Sequence, residues 1–202
     1  NCESTCPSGV QYGRLVDIGR GIVEKQVQRP FAQRLVRTAL KEALPRKAVF
    51  EPAMKIGQLV RPLLPQVLKN KVPEARNPGQ WPTRTHARKM LLLDGCVQPA
   101  MSPNINAATA RVLDALGVQL IVAPKAGCCG AIRYHLNDQD GGLDDMRKNI
   151  DAWWPYVEAD VEAIVMTASG CGVTVKDYGH LLAHDPAYAE RAEKISALTQ
   201  DL

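Results

Sequence analysis

Val118-Gln119-Leu120-Ile121-Val122-Ala123-Pro124-Lys125-Ala126-Gly127-Cys128-Cys129-Gly130 is the stretch from which the rest of the chain is read. Its first part is an apolar run of strand length, and its second is a turn carrying two adjacent thiols between glycines. Neighbouring cysteines do not both serve as small core hydrophobes without a local reason, and flanking glycines let the backbone bend so that both sulfurs face one point. The pattern recurs on either side: Met90-Leu91-Leu92-Leu93 precedes Gly95-Cys96, and Ala163-Ile164-Val165-Met166 precedes Ser169-Gly170-Cys171. Stretches of helical period separate the three runs, so the order is strand, helix, strand, helix, strand. That order predicts an α/β unit with a small parallel, Rossmann-like sheet, whose strands end along one edge where ligands bind. Cys96, Cys128, Cys129 and Cys171 are therefore expected to meet at that edge.

Composition narrows the chemistry. The chain has 202 residues, 46% hydrophobic and 23% charged, which suits one or two domains with a sizeable core. No run approaches the roughly 18 apolar residues of a membrane helix, and no secretory signal is present, so no transmembrane segment is expected. Six cysteines in such a chain point to metal or redox chemistry in a reducing compartment rather than to a disulfide framework. The net charge of +4 conceals a division: residues 1–89 hold 17 Lys and Arg against 6 Asp and Glu, and residues 90–202 hold 8 against 15. A basic first half suggests an acidic partner or an anionic lipid surface, with a solvated basic face as the plain alternative. Nucleic acid is not expected as a partner, because the aromatic residues Tyr12, Phe31, Phe50 and Trp81 are too scattered for base stacking.

The chain begins at Asn1, within a motif, and reads as a fragment. Cys2-Glu3-Ser4-Thr5-Cys6-Pro7 matches the end of the bacterial ferredoxin run C-x2-C-x2-C-x3-C-P, which makes Cys2 and Cys6 candidate 4Fe-4S ligands. Helices are predicted from Tyr12 to about Gln28, from Phe31 to Leu44, and from Pro52 to about Val60. The stretch Met54 to Lys71 is apolar and basic enough for a membrane surface, but Pro62 and Pro65 favour packing against a partner subunit or the chain's own core. Val72 to Lys89, with Pro73, Pro78 and Pro82, reads as a linker, dividing residues 1–71 from the α/β unit at 90–202. In that unit helices are expected over Ala107 to Leu116, over Leu143 to Val157 with an interruption at Pro155, over Val173 to Leu182, and over Pro186 to Leu198.

For the four later cysteines an iron–sulfur cluster, an all-thiolate zinc site, a redox-active thiol pair and buried structural thiols all remain open, although adjacent cysteines are unlike the usual zinc knuckle. His180 and His184 have the i, i+4 spacing of a metal pair but no accompanying carboxylate motif. His135 follows the thiol pair closely enough to tune a cluster by a hydrogen bond, or simply to face solvent. Trp153 and Trp154 read as core or interface anchors. No G-x-G-x-x-G loop, P-loop or nucleophile elbow occurs, so a flavin is expected on another chain.

These motifs carry a family resemblance. Cys2 to Val10, Leu15 to Arg20, Asn104 to Leu113, Ala126 to Ala131, Asn149 to Pro155 and Thr167 to Gly172 are similar to the iron–sulfur subunits of bacterial glycolate oxidases, more properly dehydrogenases. The cysteine unit resembles the CCG cysteine-rich domain that these share with heterodisulfide reductases, anaerobic glycerol-3-phosphate dehydrogenases and lactate-utilisation proteins. The family's usual chain has a two-cluster ferredoxin domain and two CCG repeats, and this one resembles its middle: a helical N-terminal segment from a ferredoxin-type domain and the first repeat. The resemblance implies an electron-transfer subunit with 4Fe-4S clusters. FAD would lie only on partner glycolate oxidase subunits, electrons would pass to a quinone or other membrane acceptor, and the protein would be cytoplasmic, peripheral on the inner membrane. It further implies cluster ligation by Cys96, Cys128, Cys129 and Cys171. In heterodisulfide reductases the last cysteine begins a C-x2-C pair; here Thr174 takes the second place, so their double-cubane-like cluster does not carry over.

Overall fold

A computed structural model describes residues 5–202. Cys2 lies outside the described residues. Helices α1 (Tyr12–Gln26), α2 (Phe31–Ala43) and α3 (Lys47–Leu59) open the chain, followed by a short 3-10 turn at Arg61–Leu63 and helix α4 (Gln66–Lys69). Residues 73–86 have no regular structure. They are nonetheless held down: Arg84 and His86 reach the Asp114 carboxylate, and Arg111 Nη1 donates to the carbonyls of Pro78 and Gln80.

The α/β unit runs β1 (Arg88–Leu92), α5 (Gln98–Met101), α6 (Pro103–Ala115), β2 (Val118–Val122), α7 (Ala131–His135), α8 (Gln139–Glu158), β3 (Ile164–Met166), α9 (Ser169–Lys176), α10 (Tyr178–Leu181), α11 (Ala189–Leu198) and β4 (Thr199–Asp201). The sheet is parallel throughout, in the order β2-β1-β3-β4, with Leu92 opposite Val122 and Leu91 opposite Ile164. Successive strand residues point to opposite faces. Leu91, Ile164 and Met166 join Met146, Ile150, Trp153 and Ile195 in the core under α8 and α11, while Leu92, Val165 and Leu120 join Ala110 and Leu113 under α6. Helices on both faces are why β1, β2 and β3 read as largely apolar runs.

Several boundaries depart from expectation. Pro52 stands inside α3 rather than at its start. Helix α8 continues through Pro155 because Met146, Ile150, Trp153 and Val157, all buried on one face, hold the last turn despite one missing backbone bond. The segment expected as one helix over Val173 to Leu182 breaks at Asp177 into α9 and α10, and because α10 ends at Leu181, His180 and His184 do not share a helix; both are exposed. Strand β4, polar and three residues long, was not foreseen. Trp153 is fully buried, while Trp154 donates to Glu158 and lies under the Arg191 guanidinium.

The charge division is answered within the chain to a considerable extent. Lys41 pairs with Asp138, Lys47 with Asp94, Arg84 with Asp114 and Arg88 with Glu162, each joining the basic first half to the acidic second. Apolar side chains of the early helices are left outward: Ile18 and Ile22 on α1, Phe31 and Leu35 on α2, Leu59 at the end of α3 and Leu63 in the 3-10 turn after it are all exposed, and α1 and α2 contain no buried residue.

Candidate metal centre

Chain order and sheet order differ at β1: the chain moves to β2 on one side and then returns to β3 on the other. A crevice at the carboxyl ends of β1 and β3 is the consequence, and such switch points are where open α/β sheets bind ligands. Cys96 follows β1, Cys128 and Cys129 follow β2, and Cys171 lies in the first turn of α9 after β3. All four come together. Cys96 Sγ is 3.5 Å from Cys128 Sγ, and Cys129 interacts electrostatically with both Cys128 and Cys171. Cys96, Cys128 and Cys129 are buried, and Cys171 is half-buried at the rim.

The cluster alternates between proton donors and acceptors. Hydrogen bonds from Cys129 and Cys96 hold the Cys128 thiol well below its usual range, and the bond from Cys129 does the same for Cys171. Donation to Cys128, then burial, raises Cys96; donation to Cys128 and Cys171, then burial, raises Cys129. Thiolate is the form that binds metal. Among the described residues no three His, Cys, Asp or Glu side chains have the arrangement of a single-ion site. By donor chemistry, four convergent soft sulfurs in a dry edge suit an iron–sulfur group or zinc.

Two polar networks hold the cysteine loops, and neither was identified from sequence. Fully buried Asn149, on α8, accepts from Gly127 N through Oδ1 (2.8 Å) and donates through Nδ2 to the Cys128 carbonyl (2.7 Å) and to Tyr178 Oη (3.2 Å). Tyr178, equally buried, donates to the Cys129 carbonyl at 2.8 Å. The second network joins the Cys96 and Cys171 loops: Gln98 Nε2 donates to Thr167 Oγ1 (2.7 Å) and Asn106 Oδ1 (3.0 Å), and Asn106 Nδ2 donates to the Asp94 carboxylate (2.9 Å). One signal was available. Asn149 stands on the apolar stripe Met146, Ile150, Trp153, and a polar residue in a buried stripe needs partners there.

Beside the cluster an apolar cavity of about 660 Å³ is lined by Val97, Met101, Ile105, Ile132 and Met166 together with Cys96, Cys129 and Cys171. Another, of about 760 Å³, separates the Gly9 to Ile18 stretch from Tyr134, His135 and Thr174. Cys6 belongs to this N-terminal side, on the turn ahead of α1. Hydrogen bonding from the backbone N–H groups of Val10 and Ser8 holds its thiol below the usual range, and Gly9, whose own N–H donates to the Cys6 carbonyl (3.1 Å), takes the left-handed φ of +63°. His135 is exposed and bonds Asp17 at 3.0 Å rather than a cysteine, which is the solvent-facing one of its two readings. The Thr174 hydroxyl donates to the Gly170 carbonyl at 3.0 Å, closing on its own helix.

A parallel α/β unit with thiols at its switch point defines a cysteine-rich domain. Residues 90–176 match the family model described as CCG, cysteine-rich domain. It is 52% identical, over its whole length and half of the relative's, to the glycolate oxidase iron-sulfur subunit of Escherichia coli (strain K12). It is 30% identical to the probable glycolate oxidase iron-sulfur subunit of Bacillus subtilis (strain 168), over 95% of this chain and 48% of that one. Lactate utilization protein A of Bacillus cytotoxicus is 27% identical over 56% of this chain and 46% of its own. The chain spans about half the length of the curated relatives it matches. No solved structure matches it.

Proposed function

We propose that this chain is part of the iron–sulfur electron-transfer subunit of a glycolate oxidase, with Cys96, Cys128, Cys129 and Cys171 holding one iron–sulfur centre and Cys2 and Cys6 contributing to a 4Fe-4S cluster of ferredoxin type. The observation that carries the reading is the convergence of four thiols from three strand ends, with Cys96 and Cys128 sulfurs 3.5 Å apart. Similarity over the whole of this chain and half of the relative to a named glycolate oxidase iron-sulfur subunit supports glycolate as the substrate. Glycolate would lose two electrons and two protons to become glyoxylate on FAD-bearing partner subunits. Iron–sulfur groups supply one-electron storage when bound, and the electrons would leave toward a quinone-type acceptor at the cytoplasmic face of the inner membrane. The chain's own part is to gather the sulfurs, exclude water through Leu93, Met166 and Ile132, and fix the surrounding dipoles. No helix among the described residues is long and apolar enough to cross a membrane, so membrane contact would be peripheral.

Anaerobic purification with iron, sulfide and zinc analysis and spin-resonance spectra tests this. Stoichiometric iron whose signal disappears in Cys128→Ser and Cys129→Ser is expected, together with loss of dye reduction in a complex that still assembles with the flavin subunits. Zinc in place of iron, or unchanged signals in both variants, would reject the assignment.

A further inference from the structure

Asn149 and Tyr178 form the one polar feature of the α8 core that is directed wholly at the thiol loop. A single carboxamide reads three groups, Gly127 N–H, Cys128 C=O and Tyr178 Oη, and the phenol completes the set at Cys129 C=O. Every bond lies between 2.7 and 3.2 Å, and both side chains are fully buried. Elementary chemistry makes the arrangement exacting. Aspartate at 149 lacks the N–H donors, glutamine is one methylene too long, and phenylalanine at 178 can neither donate nor accept.

We infer that Asn149 and Tyr178 are positioning residues that set the reduction potential and the hold of the centre proposed at Cys96, Cys128, Cys129 and Cys171. The inference rests on that reading. Backbone carbonyls of ligating residues are among the protein dipoles nearest such a centre, and their oxygen ends oppose the arrival of an electron. A donor on each carbonyl offsets that opposition, at short range and in a medium of low polarity. Cys128 and Cys129 each have one, both supplied by groups that the core has no other reason to bury. Reduction is thereby favoured, and the two sulfurs keep one direction in either oxidation state. The role differs from general stabilisation because it concerns the adjacent pair and leaves Cys96 and Cys171, held by the Gln98 and Thr167 network, untouched.

Tyr178→Phe in the full chain is the direct test, since it keeps the ring in place and removes only the hydroxyl. Potentiometric titration followed by spin resonance should show the midpoint moved to more negative potential. Iron release to a chelator should be on the order of 10-fold faster than in the wild type. A second measurement needs no metal: in apoprotein, mass-spectrometric mapping of iodoacetamide labelling should show Cys128 and Cys129 reacting faster in the variant, with Cys96 and Cys171 unchanged. Asn149→Ser, smaller and still polar, should move both readouts in the same direction. Unchanged midpoint and unchanged labelling of the pair in Tyr178→Phe would overturn the inference while leaving the cluster assignment standing. A uniform rise in labelling at all four cysteines would also overturn it, by showing loosened folding rather than positioning. A wild-type chain without iron would remove the cluster assignment, and the inference about potential with it.

Discussion

Gly130 and Gly142 meet backbone to backbone. A Cβ on Gly130 would lie 2.6 Å from the Gly142 carbonyl oxygen, and one on Gly142 would lie 3.1 Å from the Gly130 carbonyl oxygen. Gly130 also has φ +91°, in the left-handed region open to glycine. This contact turns the chain from the thiol pair directly into α7 and seats α7 on α8, which delivers Asn149 beneath the loop. Gly127, on the other flank, has open space around its Cα and no positive φ; its part is to donate its N–H to Asn149.

Gly130→Ala is expected to lower stability by roughly 2–5 kcal/mol, combining the strained backbone with overlap against Gly142 and Met146. Gly127→Ala should be far milder. Chemical denaturation of the two variants beside the wild type measures both, and equal losses would show that the close approach does not matter.

Thr174 stands where the resemblance to heterodisulfide reductases would put a cysteine, and it spends its hydroxyl on the Gly170 carbonyl. Thr174→Ala should therefore retain full iron content and unaltered spectra, at a cost of about 1 kcal/mol in unfolding free energy. Cys171→Ser should lose iron. Loss of iron in Thr174→Ala would make the threonine a ligand.

Asp114 gathers Arg84 and His86, and the Arg84 hydrogen bonds hold its carboxyl below the usual carboxylate range. A carboxyl more acidic when folded adds stability above its unfolded pKa, near 4, and that stability is lost as pH falls through its folded pKa. Acid unfolding followed by circular dichroism should show the stability of the wild type falling more steeply below about pH 4 than that of Asp114→Asn. Identical acid limbs would remove Asp114 from the account.

Leu35 on α2 is 59% exposed and Phe31 72%, although both lie on the apolar face of a strongly amphipathic helix. In this chain that face covers nothing, so Leu35→Ser and Phe31→Ser should each change the melting free energy by less than about 0.5 kcal/mol. Thermal unfolding of the chain measures it, and a loss above 1 kcal/mol would mean that α2 packs elsewhere in solution.

The legible parts of the fold were those in which one local pattern carries the whole signal. Met90 to Leu93, Val118 to Ala123 and Ala163 to Met166 are apolar on both faces except at Gln119, because helices cover both sides of the sheet, and each matches a strand. Thr199-Gln200-Asp201 forms β4 through backbone bonds to β3 alone, and a polar edge strand of that length leaves no trace in hydropathy. Pro155 misled for a related reason: proline disfavours a helix locally, whereas the buried Trp153 and Val157 that sustain α8 there act through packing.

The sequence alone determined that four thiols would be carried to one sheet edge, because strand order and the turn after each strand follow from short-range hydrophobic pattern and chain connectivity. It showed equally a basic first half, leaving its counterpart open between acidic groups, an anionic lipid surface and solvent. Only the tertiary structure decided that many of those groups are in the same molecule, at Asp94, Asp114, Asp138 and Glu162. Only it could show that Asn149 and Tyr178 hold the Cys128 and Cys129 carbonyls. Hydrogen bonding is directional and effective only within about 3 Å, so partners separated by 21 and 49 positions are chosen by the packing of α8 and α10 rather than by any local pattern.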